Sequence, residues 1–423
     1  MQQGSGAWSF SAFLFAIAFL GFVAGALVTV SGVAPAGYIR DAYRAGTAAI
    51  EKLQAEYDPL NSDLWAEART GERGVTVHDP ARSAPGLTLY TSGHASVAFL
   101  IDHDGKVVHQ WQLPYSEVWE QGAAVTDPVP DAKIYFRRAH VFPNGDLLTI
   151  YIGHGDTPWG YGMVRISRDS ELIWKNLLHF HHDFAIGEDG RIYGLTHEFR
   201  QKAPNDLEHL PDPVLEDFLT VVSADGETLK SISLIDAMNR SRYRPQLWSI
   251  SYFTLEDPLH TNAVDVLSAE DAALLKPAIP QAEAGQVLLS FRELGGGTIA
   301  LMDVDSEEIV WAQHGAWRSQ HDPDVLPNGN IMMFDNLGNF GKEGGRSRVI
   351  EVNPATTGIV WQYGGIEGEF LHSIIRSAQH PLPNGNVLIT ESDGARLLEV
   401  TRDGDIVWEY INPVRAGEGD SLV

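Results

Sequence analysis

Histidine is the side chain through which this protein could do chemistry. Its 423 residues include 16 histidines and no cysteine, which removes thiol nucleophiles, thiolate metal sites and disulfides. Alignment on turn glycines sorts the histidines. His321 in HDPDVLPNG lies eight residues before Gly329, His182 in HDFAIGEDG eight before Gly190, and His78 in HDPARSAPG eight before Gly86. His140 and His380 lie five before Gly145 and Gly385. Side chains alternate along a regular strand, so this odd difference of three puts the latter two on the opposite face, as packing or hydrogen-bonding residues. His260 opens the segment HTNAVD, and Arg292 interrupts the apolar run of LLSFRELGGG. Such an arginine is either a half-exposed edge residue or points inward to an anion or carboxylate. Singly, each histidine reads as a turn or cap residue. At equivalent strand positions they read as one convergent site. Neutral imidazoles there could bind a divalent metal, although no carboxylate has facial-triad spacing with them. Alternatively, one imidazole is a nucleophile while the others and Arg292 receive negative charge, which suits transfer of an anionic group.

The elements that must position these residues repeat. Pro-Asn-Gly turns lead into alternating apolar strands in FPNGDLLTIY from Phe142, LPNGNIMMFD from Leu326 and LPNGNVLITE from Leu382. Further strands end at Trp111, Trp174, Trp311, Trp361 and Trp408. The spacings of 50 and 47 residues between the last three are those of four-stranded propeller blades. Asp-Gly pairs at 104–105, 189–190, 225–226 and 403–404 add hairpin turns. Six units, at 76–113, 134–178, 179–236, 256–314, 317–365 and 374–412, predict an all-β, six-bladed propeller. Radial closure protects strand edges, which an irregular sandwich would not. Loop and helical insertions are expected at 201–217 and 236–256, and a short helix within 268–284. The innermost strands would line a central channel, and chemistry is expected there.

The chain is 44% apolar and 20% charged, a globular composition. Its net charge of −26 argues against nucleic-acid partners, which need clustered Lys and Arg. No charged residue precedes Arg40, and the apolar stretch Phe10–Ala36 exceeds the roughly 20 residues that cross a bilayer. Residues 10–33 are therefore expected to span a membrane within an anchor at 1–36. A signal peptide cleaved near Ala34-Pro35-Ala36 is the rival reading. Gly21 and Gly25 form a GxxxG spacing that permits a membrane-protein partner to approach closely. Good helix formers over 38–57 predict a helical linker at 37–75, followed by the propeller at 76–412 and a tail at 413–423. Arg40, Arg44 and Lys52 follow the span, which by the positive-inside rule alone would put the body in the cytoplasm.

The set HHDF, HTNAVD followed by a strand with FRE, and QHDPDVLPNGNIMMFDN resembles the bacterial arylsulfotransferases that use no nucleotide sulfate donor, over residues 76–412. The resemblance implies a six-bladed propeller with a periplasmic site and neither metal nor cofactor. It implies ping-pong sulfuryl transfer from a phenolic sulfate ester to a phenol through a sulfohistidine. By motif, His321 would take the sulfuryl group, His182 and His260 would assist, and Arg292 would bind the sulfate oxygens. The family location outweighs the flanking charges, so the expectation is a single-pass protein of the inner (cytoplasmic) membrane with its propeller in the periplasm. Two other functions stay open at this point: a non-catalytic propeller subunit of a membrane complex, and a metal-dependent propeller hydrolase using the same histidines.

Overall fold

The Pro-Asn-Gly turns close hairpins because Gly145, Gly329 and Gly385 adopt φ of +91°, +77° and +87°, where a side chain is disfavoured. At Gly329 a Cβ would also lie 2.6 Å from the Leu274 carbonyl oxygen, in the inserted helix Ala269–Leu275. The computed structural model describes residues 5–31, isolated positions between 36 and 64, and 65–423 except 253, 338–345 and 366–369. It divides into two units, Met1–Ser62 and Asp63–Val423.

The first unit holds one long helix, Ser5–Ser31. Its Ala12–Ser31 portion, of mean hydropathy 2.5, is long and apolar enough to cross a membrane. Phe15, Leu20, Phe22, Leu27 and Val30 are all exposed on it, as expected of a helix whose surroundings are meant to be apolar. Such a helix is compatible with a single-pass anchor or a signal sequence. The linker helix expected over 38–57 lies outside the described residues, apart from positions 38, 39, 42 and 46.

The second unit is a six-bladed β-propeller of antiparallel sheets. Blades 2 to 5 have four strands each and span Ile134–Asn176, Phe180–Ser233, Thr261–His314 and His321–Gly364. The expected first unit differs from a full blade. Among the described residues blade 1 has only three strands, Thr88–Thr91, Val97–Ile101 and Val107–Gln112. Strand Gly74–His78 instead pairs with Ile406–Ile411 and becomes a fifth, outermost strand of blade 6. The segment expected as loop at 201–217 also ends earlier, because strand Val214–Val222 begins inside it.

The apolar core is distributed rather than central. Among the described residues it forms six clusters, one at each blade junction. The recurring tryptophans have a specific task there. The indole N–H of Trp111 donates to the Gly145 carbonyl of the next blade, Trp174 to Ala224, Trp361 to Arg402, and Trp408 to His103. The last of these runs from blade 6 back to blade 1 and helps close the ring. Packing between blades leaves the inner strands free to face the axis, where polar side chains collect.

Candidate active site

The inner strands are irregular where they meet the channel. In blades 2 to 5 each shows a register shift near its start, between Phe136 and Ala139, around His181–Phe184, between Thr261 and Ala263, and between His321 and Asp324. His182, His260, Asp322, Arg376 and Ser377 have φ of +56°, +44°, +54°, +62° and +73°. Non-glycine residues in this region cost about 1–3 kcal/mol each and cluster at functional sites. The His-Asp pairs explain how the strain is held. Asp183 accepts the backbone N–H of Val264 (3.1 Å), and Asp322 accepts that of Gln379 (3.1 Å). Each aspartate thus fastens its strand to the next blade while the adjacent histidine faces the axis.

The result is a cavity of about 320 Å³ reached by inner strands of all six blades. His182, His321, Asn262, Arg137 and Arg376 line its polar end, and Leu64, Trp65, Leu89, Tyr90 and Tyr410 contribute apolar surface. His321 is buried, and its Nδ1 meets Asn336 Oδ1 at 2.7 Å. The Asn336 amide is oriented by its Nδ2, which donates to the Ser373 and Arg376 carbonyls. Oδ1 must therefore accept, so Nδ1 of His321 carries the proton and Nε2 keeps its lone pair. Burial, then the charges of Arg137 and Arg292, hold the His321 pKa well below the usual imidazole value. The imidazole is thus neutral near pH 7.

His182 is also buried and kept neutral, first by burial and then by Arg137. Its ring lies 4.9 Å from that of His260, centroid to centroid. His260 is held from both sides. Its Nδ1 hydrogen-bonds Asp257, and its Nε2 accepts from Arg292 at 3.3 Å. Behind His182, His181 Nδ1 meets His182 Nδ1 at 2.7 Å, and His181 Nε2 lies 3.5 Å from Asp217 Oδ1. Trp159 packs edge-on against His181, His182 and His197 and tilts over His260.

His181, His197 and Asp217 lie close enough to suggest a metal site. Their geometry does not suit one. The His181 and His197 rings stack at 4.2 Å with planes only 18° apart, so their in-plane lone pairs run side by side instead of converging. His197 Nε2 also accepts the Gly160 N–H, which leaves the proton on Nδ1, the nitrogen a metal would need.

The structure thus gathers His182 and His321 on one cavity wall, with His260 beside His182 and Arg292 against His260. His78 is elsewhere. It sits in the outermost strand of blade 6, 3.9 Å from Asp104, because its segment closes the ring instead of opening a blade. The parity argument for His140 also fails in its premise, since a bulge between the two positions cancels the odd offset. His140 lines a second cavity of about 230 Å³ with Arg138, Asp183, Asp265, Asp322 and Asp324. His380 is exposed and lines neither cavity. The sequence reading overlooked Arg137, Asn336, His181 and Asp217. Arg137 carried a usable signal, since it lies eight residues before Gly145.

Channel, cavity and lining together define a propeller that presents imidazole and guanidinium groups along its axis. The chain belongs to the arylsulfotransferase (ASST) family, which it matches over residues 138–413. This family suggests a sulfotransferase enzyme and implies phenolic substrates. Among solved structures, the chain is similar to a protein of unknown function from Bacteroides caccae at 14% identity and a TM-score of 0.49, covering 80% of this chain and 98% of that one. It is also similar to virginiamycin B lyase from Staphylococcus aureus at 13% identity and a TM-score of 0.39, covering 83% and 88%. No curated protein matches the chain significantly.

Proposed function

We propose that the protein transfers a sulfuryl group from a phenolic sulfate ester to a phenol through a sulfohistidine at His321. The observation that carries this reading is the fixed tautomer of His321: Nδ1–H bound to Asn336, Nε2 with a free lone pair, on the wall of a cavity that also holds Arg137. In the first half-reaction the Nε2 lone pair attacks sulfur, the S–O bond breaks, and its electron pair leaves with the phenolate. In the second, a phenol oxygen attacks sulfur and the S–N pair returns to Nε2. Charge on the three sulfuryl oxygens grows in both directions. Arg137, which lines the cavity, and Arg292, which is buried, are cations placed to stabilise it. Loss of the nucleophile blocks both halves.

The test is donor without acceptor, followed by intact-protein mass spectrometry. A sulfuryl adduct mapping to His321 supports the reading, and turnover that survives His321→Ala overturns it.

In the same reading the helix Ser5–Ser31 anchors the protein in the inner membrane, with the propeller in the periplasm. N-terminal sequencing of the mature protein tests the anchor, since a start at Gly37 would make the helix a signal peptide. Protease added outside spheroplasts tests the side, and a propeller that resists it until lysis would be cytoplasmic.

A further inference from the structure

Sulfuryl transfer to a phenol has a proton to dispose of, and His321 cannot take it while its Nε2 is bonded to sulfur. A buried neutral imidazole beside Arg137 is also a poor place to leave a positive charge. Behind His182 the structure holds a file of groups with no role in the chemistry described so far. His182 Nδ1 and His181 Nδ1 are 2.7 Å apart, His181 Nε2 and Asp217 Oδ1 are 3.5 Å apart, and all three residues are buried. Asp217 Oδ2 accepts the Thr261 N–H at 2.6 Å, which leaves Oδ1 turned to the histidines.

We infer that His182, His181 and Asp217 form a proton relay that takes the proton of the acceptor phenol out of the cavity and stores it on Asp217. This rests on the sulfuryl-transfer reading above. In the sulfo-enzyme Asp217 is a carboxylate facing His181 Nε2–H, His181 Nδ1 accepts from His182 Nδ1–H, and His182 Nε2 keeps a lone pair. As the phenol oxygen attacks sulfur, its O–H proton passes to His182 Nε2. The Nδ1 proton of His182 then passes to His181 Nδ1, and the Nε2 proton of His181 to Asp217 Oδ1. One proton enters and one carboxylate becomes a carboxylic acid, so both imidazoles end neutral. The first half-reaction is the chemical reverse, and the stored proton returns along the file to the leaving phenolate.

The surroundings favour this end point. Burial, with Asp257 and Glu216 nearby, pushes the Asp217 carboxyl well above the usual carboxylate range, while burial holds His181 down to about 3. His197 stacks on His181, with His179 behind it, while Arg137, His260 and His321 act on His182. These neighbours disfavour charge on the rings and do not block the file. No hydrogen bond links His181 Nε2 to Asp217 Oδ1 across these 3.5 Å, a gap of the kind that catalytic contacts often close only when substrate is bound.

The experiment loads wild type, Asp217→Asn and His181→Phe from a nitrophenyl sulfate, whose leaving group needs no proton, and then mixes each sulfo-enzyme with phenols of graded acidity. All three should load equally, which also shows that the variants fold. Phenols un-ionised at the assay pH should then react about 10²–10³ more slowly with the variants, the usual worth of general acid–base catalysis. A nitrophenol already ionised at that pH should react at the wild-type rate. Equal slowing for both kinds of phenol, no slowing, or loss of loading would overturn the relay while leaving sulfo-His321 in the wild type. Absence of sulfo-His321 in the wild type would instead sink the underlying function, and the relay with it.

Discussion

Two layers of the same channel differ in almost everything except the strands that build them. The layer at the 320 Å³ cavity presents Arg137, His182, His321 and Arg376. One step further along the inner strands, the 230 Å³ cavity presents Asp265, Asp324 and His140. Between them Arg138 is neutralised by Asp183 (3.0 Å) and Asp322 (3.4 Å). A protein of net charge −26 thus balances acids with arginines at one cavity, where Arg137, Arg138, Arg376 and Arg396 meet Asp183, Asp322, Glu391 and Asp393, and lines the other with an excess of carboxylates. The contrast gives direction to a nearly symmetric ring: an anion meets less repulsion at the first layer than at the second.

The comparison can be broken at several points. The largest effect is expected from His321→Ala, which should lower kcat by on the order of 10⁴ or more, read by steady-state transfer to a phenol. Arg137→Met should cost about 10²–10³ in kcat, as for other preorganised electrostatic contacts. It should also let the His182 and His321 pKa values rise, since Arg137 helps depress both. The acid limb of the pH–rate profile would then move to higher pH, because the nucleophile must be neutral. Asn336→Leu frees the His321 tautomer and should cost about 10–10² in kcat, the worth of one buried hydrogen bond. Full activity in that variant would show that the tautomer is set by something else.

The smallest effect sharpens the contrast from the other side. Burial pushes Asp265 up to about 6, above its unfolded value near 3.9. The stability tied to its protonated form is therefore complete below about pH 4 and lost as pH rises through about 6. Asp265→Asn should leave turnover unchanged and stabilise the fold at pH 7 by about 1–3 kcal/mol. The gain in Tm should vanish as the pH falls to 4. The imidazole layer has the opposite sign. His181 is held at about 3, so its neutral form becomes a growing liability as pH falls below the unfolded value of about 6.5.

Much of this architecture is legible in the sequence. Pro-Asn-Gly turns and spaced tryptophans specify blades because they act locally, through φ at Gly145, Gly329 and Gly385 and through indole hydrogen bonds to the next turn. The eight-residue offset found His182 and His321 for the same reason. It misplaced His78 because ring closure is a pairing between chain segments far apart, which no local pattern records. The bulges were invisible too, and with them the second layer containing His140. Arg137 was hidden only because the offset was applied to histidines alone. Asn336, His181 and Asp217 owe their roles to partners in neighbouring strands or on the adjacent side chain, contacts that appear only once the blades stand side by side.

The fifth strand of blade 6 also has a consequence for how the chain is made. Gly74–His78 can pair only after Ile406–Ile411 exists, and Thr76 bonds to Glu409 across 333 residues. At a synthesis rate of about 5–20 residues per second, the early strand waits roughly 15–70 s for its partner. During that time its backbone N–H and C=O groups form an open edge, the kind that recruits other chains. The five-residue length of Gly74–His78 keeps that exposed edge short until the last strand covers it.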